Sequence, residues 1–267
     1  MQRRNIIFVV GAGAVENSWD PVVRAINKAF DIQTDAEGAN FLFARHICVL
    51  KFYAKVGSKG HYPEVYEMMK SNISILKNTI CNELKIAQES GEIKPRKNFN
   101  AIVNKFVTPK PTDKAWLVST NWDEVIDMEI NKLYRSNNPD INFVTSFHIH
   151  GCISSPDQIY LPSEVTHEIY RMDEDKRKLG LNHSDFMHMI QYCNRTVLYG
   201  LSLDPLDAEL SQSLAAGWDS PNNQEIIIID PNHGKVAKRV KLLLEKKHNV
   251  KVIGYHPDNI DKEIVYE

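Results

Sequence analysis

Asn5-Ile6-Ile7-Phe8-Val9-Val10-Gly11-Ala12-Gly13-Ala14 is the stretch on which the fold turns. Residues 5–10 form a short apolar run without a polar face. Such a run reads as a parallel strand buried on both sides. Gly11-Ala12-Gly13 stops it at once. Glycine tolerates positive φ and lets backbone amides approach a phosphate closely. The dehydrogenase fingerprint GxGxxG fails here, because Glu16 stands at the third glycine position. A P-loop fails too, since no Gly-Lys-Ser/Thr follows. A plain tight turn and a nucleotide phosphate site both stay open for Gly11, Ala12, Gly13 and Ala14.

Outward from this stretch, further strands are expected at Ala115–Ser119, Asn142–Ile149, Thr196–Tyr199, Glu225–Ile229 and Val250–Tyr255. Helical patterns lie between them. Asp20-Pro21 reads as a cap and first turn, with Val22, Val23, Ile26, Ala29 and Phe30 on one face. Tyr66–Ser90 is a long helix, Phe99–Phe106 a short one, and Phe41–Tyr53 is helical or ambiguous. Further helices run from the Asn121–Asp123 stretch to about Tyr134, over Ser184–Cys193 and over Lys235–Lys247. Strands alternating with helices predict an α/β, Rossmann-like parallel sheet covered by helices on both faces. Residues 31–112 carry few strand signals and read as a helical insertion. Residues 152–194 read as a smaller one. A single domain over residues 1–267 is expected.

Composition sets outer bounds. The chain has 267 residues, 32 basic and 34 acidic side chains, a net charge of -2 and 43% hydrophobic residues. That is a globular composition. Direct nucleic-acid binding is not expected, for want of a basic excess. No apolar run approaches the roughly 20 residues that span a bilayer. The run after Met1-Gln2-Arg3-Arg4 is too short for a signal peptide, so a cytoplasmic location is expected. Cys48, Cys81, Cys152 and Cys193 form no CxxC pair, so neither a zinc ribbon nor a disulfide framework is expected.

In parallel sheets, ligands sit beyond the carboxyl ends of the strands. Those ends carry Gly11-Ala12-Gly13, Thr120-Asn121, His150-Gly151, Gly200 and Asp230. Asn121 or Asp123 could simply cap the next helix, and capping suits Asp123 best. Asn121 on a ligand rim would hold a ribose or a water. His148 and His150 share one side of a strand, but no third ligand accompanies them, and no metal is expected. His150 is the better placed for acid–base work at neutral pH. Gly200 and Ser202 could meet a phosphate or ribose, or Ser202 or Asp204 could cap. Asp230 could accept ribose hydroxyls or serve a turn with Pro231. Lys235, Lys238, Arg239 and Lys241 read as a solvated helix face.

Taken in order, Gly11-Ala12-Gly13, Thr120-Asn121-Trp122-Asp123, His150-Gly151, Gly200-Leu201-Ser202 and Asp230 resemble the sirtuin-like NAD-binding family. The run Gly11–Asn17, followed by Trp19, and the Thr-Asn-Trp-Asp form look closest to the bacterial sirtuin-like NADases of antiphage defence. Protein deacylases carry Gly-Ile-Pro-Asp-Phe-Arg and a four-cysteine zinc module, whereas this chain has Glu16–Val22 and no such module. The resemblance implies NAD+ as substrate and an NAD+ glycohydrolase activity. It makes Asn121 and His150 the catalytic pair, with Gly11, Ala12, Gly13, Ala14, Thr120, Asp123, Gly200, Ser202 and Asp230 around the dinucleotide. Such an activity must be silent before infection, so control by homo-oligomeric assembly or by a separate regulatory subunit is expected. An NAD-dependent deacylase and a non-catalytic NAD or ADP-ribose sensor are the rival functions.

Overall fold

In the computed structural model the described residues are 4–57, 60, 62–107, 113–137, 143–245 and 249–266. The first strand, β1 (Asn5–Val10), stands third in a seven-stranded sheet, inside both edges. Its residues 6–10 are fully buried, as a strand covered on both faces must be. Two short strands, β2 (Val15–Glu16) and β3 (Lys94–Pro95), make a separate antiparallel pair. The large sheet continues with β4 (Lys114–Ser119), β5 (Phe143–His148), β6 (Arg195–Tyr199), β7 (Glu225–Ile229), β8 (Lys251–His256) and β9 (Asn259–Tyr266). Its order is β5-β4-β1-β6-β7-β8-β9, parallel throughout except for the β8–β9 pair.

That order runs outward from β1 to one edge, then returns to the other side of β1. It is the doubly wound, Rossmann-like arrangement, with its switch point between β1 and β6. Alternate β1 side chains serve two cores. Ile6, Phe8 and Val10 pack with α1 (Asp20–Phe30), α2 (Ala36–Gly57), α3 (Pro63–Glu89) and α5 (Val125–Asn137). Ile7 and Val9 pack with α6 (Asp173–Tyr192), α7 (Ala208–Trp218) and α8 (His233–Leu244). The short α4 (Phe99–Ile102) places Phe99 against Phe8 and Tyr199, with ring centroids 6.3 and 6.2 Å away.

Several elements depart from expectation. β9 has no apolar alternation, since Asp261, Lys262 and Glu263 run through it, and it is held as an edge by pairing with β8. α7 follows a stretch expected only as a loop and cap, and α6 starts at Asp173, ahead of the expected Ser184, through a polar first half that carries no helical stripe. The expected 99–106 helix passes into a wider π-type turn at Val103–Val107. Asp20 is the first residue of α1 rather than its cap. Asn142 and residues 246–247 lie outside the described residues. Among the described residues, no helix is long and apolar enough to cross a membrane.

Candidate functional site at the strand ends

The register of the sheet builds the rim. Ser119, Val10, Tyr199 and Ile229 end their strands level with one another. The next amide along each strand extends the ladder by one bond. Thr120 donates to Val10, Gly11 to Tyr199, Gly200 to Ile229 and Asp230 to Tyr255, at 2.9–3.1 Å. The polar residues after the strands are thereby brought to one edge. A cavity of about 510 Å³ lies there. Its lining includes Ala12, Gly13, Thr120, Asn121, Asp123, His150, Gly200, Ser202 and Asp230, as anticipated. Gly11 and Ala14 are buried behind it and do not line it.

The backbone of the Gly-Ala-Gly-Ala loop is largely hydrogen-bonded within the protein. The amides of Gly11, Gly13 and Ala14 already donate to Tyr199, Gly200 and Gly11 carbonyls. Among the described residues, the Ala12 amide is this loop's remaining donor. A Cβ on Gly13 would lie 2.8 Å from the Gly200 Cα, and one on Gly200 would lie 2.2 Å from the Ala14 nitrogen. The glycines are thus required by a backbone crossing between the β1 and β6 ends. A phosphate is not needed to explain them.

Asn121 is 7% exposed, and neither atom of its side-chain amide has a protein partner. Its position is fixed from behind. The His148 ring places Nδ1 2.8 Å from the Asn121 carbonyl and Nε2 3.0 Å from Asp127 Oδ2. Both partners are acceptors, so both ring nitrogens donate and the ring is cationic. Burial opposes that charge, but Asp127 outweighs it and raises the His148 pKa. Asp123 serves the helix: its Oδ1 accepts the Val125 amide at 3.1 Å. Burial pushes its carboxyl up to about 6.

His150 is also 7% exposed, and its Nε2 faces Asp207 Oδ1 at 3.4 Å. That is close enough for ion pairing but not aligned as a hydrogen bond, so neither atom is satisfied. The ring stacks on Tyr160, 5.2 Å between centroids. Tyr160 donates its hydroxyl to Glu209 at 2.5 Å. The wall carrying Tyr160 is pinned by a buried cluster. Glu164 accepts from Lys77, Arg171, Tyr170 and the Leu161 amide. Burial works against the Glu164 charge, yet Lys77 and Arg171 hold its carboxyl below the usual range. Burial also lowers the Lys77 pKa, so the lysine side of the pair is held at a cost. Four donors on one carboxylate settle the pair as ionised.

Two features escaped the sequence reading. Arg96 is the one Lys or Arg among the described lining residues; its Nε donates to the Gly13 carbonyl at 2.5 Å. Nothing local in Lys94-Pro95-Arg96-Lys97 signals this. Arg239 is half-buried and also donates to the Ser202 and Leu203 carbonyls at 2.7 and 3.1 Å, bracing the loop after β6. Neither Ser202 nor Asp204 caps α7; Asp204 instead accepts the Leu206 amide in a turn. Asp230 accepts the Asn232 amide at 2.7 Å, so its turn role is real, and burial raises its pKa.

No protein-family model matches the chain, and no curated protein matches it.

Proposed function

We propose that the chain is a sirtuin-like NAD+ glycohydrolase, cleaving NAD+ to nicotinamide and ADP-ribose. The observation that carries this reading is that two buried polar groups over one cavity, the Asn121 amide and His150 Nε2, have no hydrogen-bond partner in the protein. Buried polar atoms are normally satisfied by protein, ligand or water. A ribose and an attacking water supply what these two lack.

The chemistry asks little of the protein. The bond between ribose C1′ and the pyridinium nitrogen breaks, and its electron pair neutralises the departing nicotinamide. No general acid is needed, unlike the hydrolysis of ordinary glycosides. The water oxygen bonds C1′, and a water proton passes to His150 Nε2. General-base help of this kind is worth about 10²–10⁴-fold. Asn121 would orient the water or the ribose. Asp20, Asp123, Asp204, Asp207 and Asp230 around the cavity suit the positive charge that builds on the ribose. With the loop amides largely engaged, Arg96 and the Ala12 amide would meet the diphosphate. Asp230 would accept hydroxyls of the second ribose.

On this reading residues 31–112 and 152–194 are insertions into a sirtuin-like core. The cellular role would be depletion of NAD+ in bacterial antiphage defence, in the cytoplasm. Such an activity has to be silent before infection, so control would come from assembly or from a partner subunit. Incubation with NAD+ and mass spectrometry of the products tests the reading. Nicotinamide and ADP-ribose in equal amounts are expected. O-acyl-ADP-ribose formed only with an acetylated peptide would replace it with the deacylase reading, and NAD+ bound but left intact with a sensing module.

A further inference from the structure

His150 does not stand alone in its pocket. Asp207, in the loop leading into α7, faces its Nε2 at 3.4 Å, and both atoms are buried without a hydrogen-bond partner. Other groups close the ring in. Tyr160 covers one face, and the Arg171 guanidinium lies 5.5 Å from the Tyr160 ring centroid. His183 of α6 lies 6.4 Å away between centroids, and the backbone of Thr120, just past β4, meets the imidazole. Glu209 of α7 is occupied by Tyr160 and by the amide and hydroxyl of Thr166.

We propose that Asp207 is the positioning residue for His150, holding the Nε2 edge of the ring toward the cavity and stabilising the imidazolium formed when His150 takes a proton. The division of labour follows from the neighbours. Glu209 already accepts three donors, so its charge is committed to the wall. His183 has Nδ1 3.1 Å from Ser213 Oγ, and burial, together with the nearby His150 charge, brings its pKa down to about 4. His183 is therefore the weaker proton acceptor of the two rings. Burial of the His150 ring disfavours its charge, and Asp207 is the largest influence in the opposite direction. Unlike a triad carboxylate, which sits on the ring nitrogen opposite the base, Asp207 faces Nε2 itself, so its negative charge favours the proton arriving at that atom. Asp207 also stands at the N-terminus of α7, where a negative side chain is favoured.

Base catalysis by the pair rests on the glycohydrolase reading, whereas the coupling between the two side chains does not. The test therefore has two arms, on the full chain. Nuclear magnetic resonance follows the His150 ring through pH in wild type, Asp207→Asn and Asp207→Ser, the signal being assigned by its loss in His150→Gln. Serine keeps an oxygen at the helix start if asparagine disturbs folding. The His150 midpoint should fall by about one pH unit or more in both variants, as expected for losing an adjacent opposite charge. An unchanged midpoint in folded protein overturns the proposal. In the second arm, the acid limb of the NAD+ cleavage profile should move to lower pH in the variants, with Asp207→Glu restoring it. Cleavage that needs His150 but keeps its pH profile in Asp207→Asn would overturn the pairing while leaving the glycohydrolase intact. No cleavage in any form, with the midpoint shifted, would do the reverse.

Discussion

Gly13 and Gly200 cross so closely that the Gly13 amide donates to the Gly200 carbonyl at 2.9 Å, while Gly200 sits at φ +62°. A side chain at either position meets backbone of the other loop rather than a flexible neighbour. Gly200→Ala should therefore cost about 1–3 kcal/mol from the left-handed backbone alone, with the overlap on the Ala14 nitrogen added to it. Denaturant unfolding reads this directly, and a variant as stable as wild type would contradict the crossing. Gly13→Val should be unstable for the same reason, so lost ligand affinity in that variant says nothing about phosphates.

Arg96 gives the cleaner test of the diphosphate. Arg96→Gln should raise the KM for NAD+ about tenfold, a loss of about 1.4 kcal/mol. It should leave cleavage of nicotinamide riboside, which has no diphosphate, unchanged. Equal losses on both substrates would place Arg96 in the loop's structure instead.

His148 is expected to act through Asn121. Its imidazolium holds the Asn121 carbonyl and the Asp127 carboxylate together. Removing it in His148→Ala should cost about 1.5–3 kcal/mol, the range for hydrogen bonds to charged groups. The pH dependence has a definite sign. The folded pKa is raised above 6.5, so this stabilisation is complete below 6.5 and lost as pH rises through the folded value. Stability measured across neutral pH, in wild type against His148→Ala, checks it; a difference that grows with rising pH would contradict the charged ring.

Glu164 has the opposite sign. Its folded pKa is depressed, so its contribution is present above 4.5 and lost as pH falls through the folded value. Glu164→Gln leaves Lys77 and Arg171 without their shared charge and should cost about 3–5 kcal/mol. Because the cluster pins the wall bearing Tyr160, activity should fall with stability. Unfolding curves at pH 7 and acid pH measure both effects, and a near-neutral substitution would contradict a buried ionised cluster.

The sheet was legible because each central strand is a short apolar run stopped by glycine or a polar residue. The same punctuation marked Thr120, Asn121, His150, Gly200 and Asp230, and the parallel register then carried them to one rim. Local signals could not reveal what depends on distant parts of the chain. Arg96 reaches the cavity by pairing its backbone with the Ala14 carbonyl, 82 residues earlier by the numbering. Asp207 meets His150 only because the loop after β6 folds over the end of β5. β9 left no trace in the pattern, since its place comes from backbone pairing and most of its side chains are exposed.

The most direct measurement is NAD+ consumption with product identification, on wild type, Asn121→Ala and His150→Ala, each alone and with lysate from phage-infected cells. Both residues sit at strand ends, so the variants should fold. Wild type should yield nicotinamide and ADP-ribose, at least in the presence of the lysate, and the variants neither product above background. Near-normal cleavage by either variant, or no cleavage by wild type under any of these conditions, would contradict it.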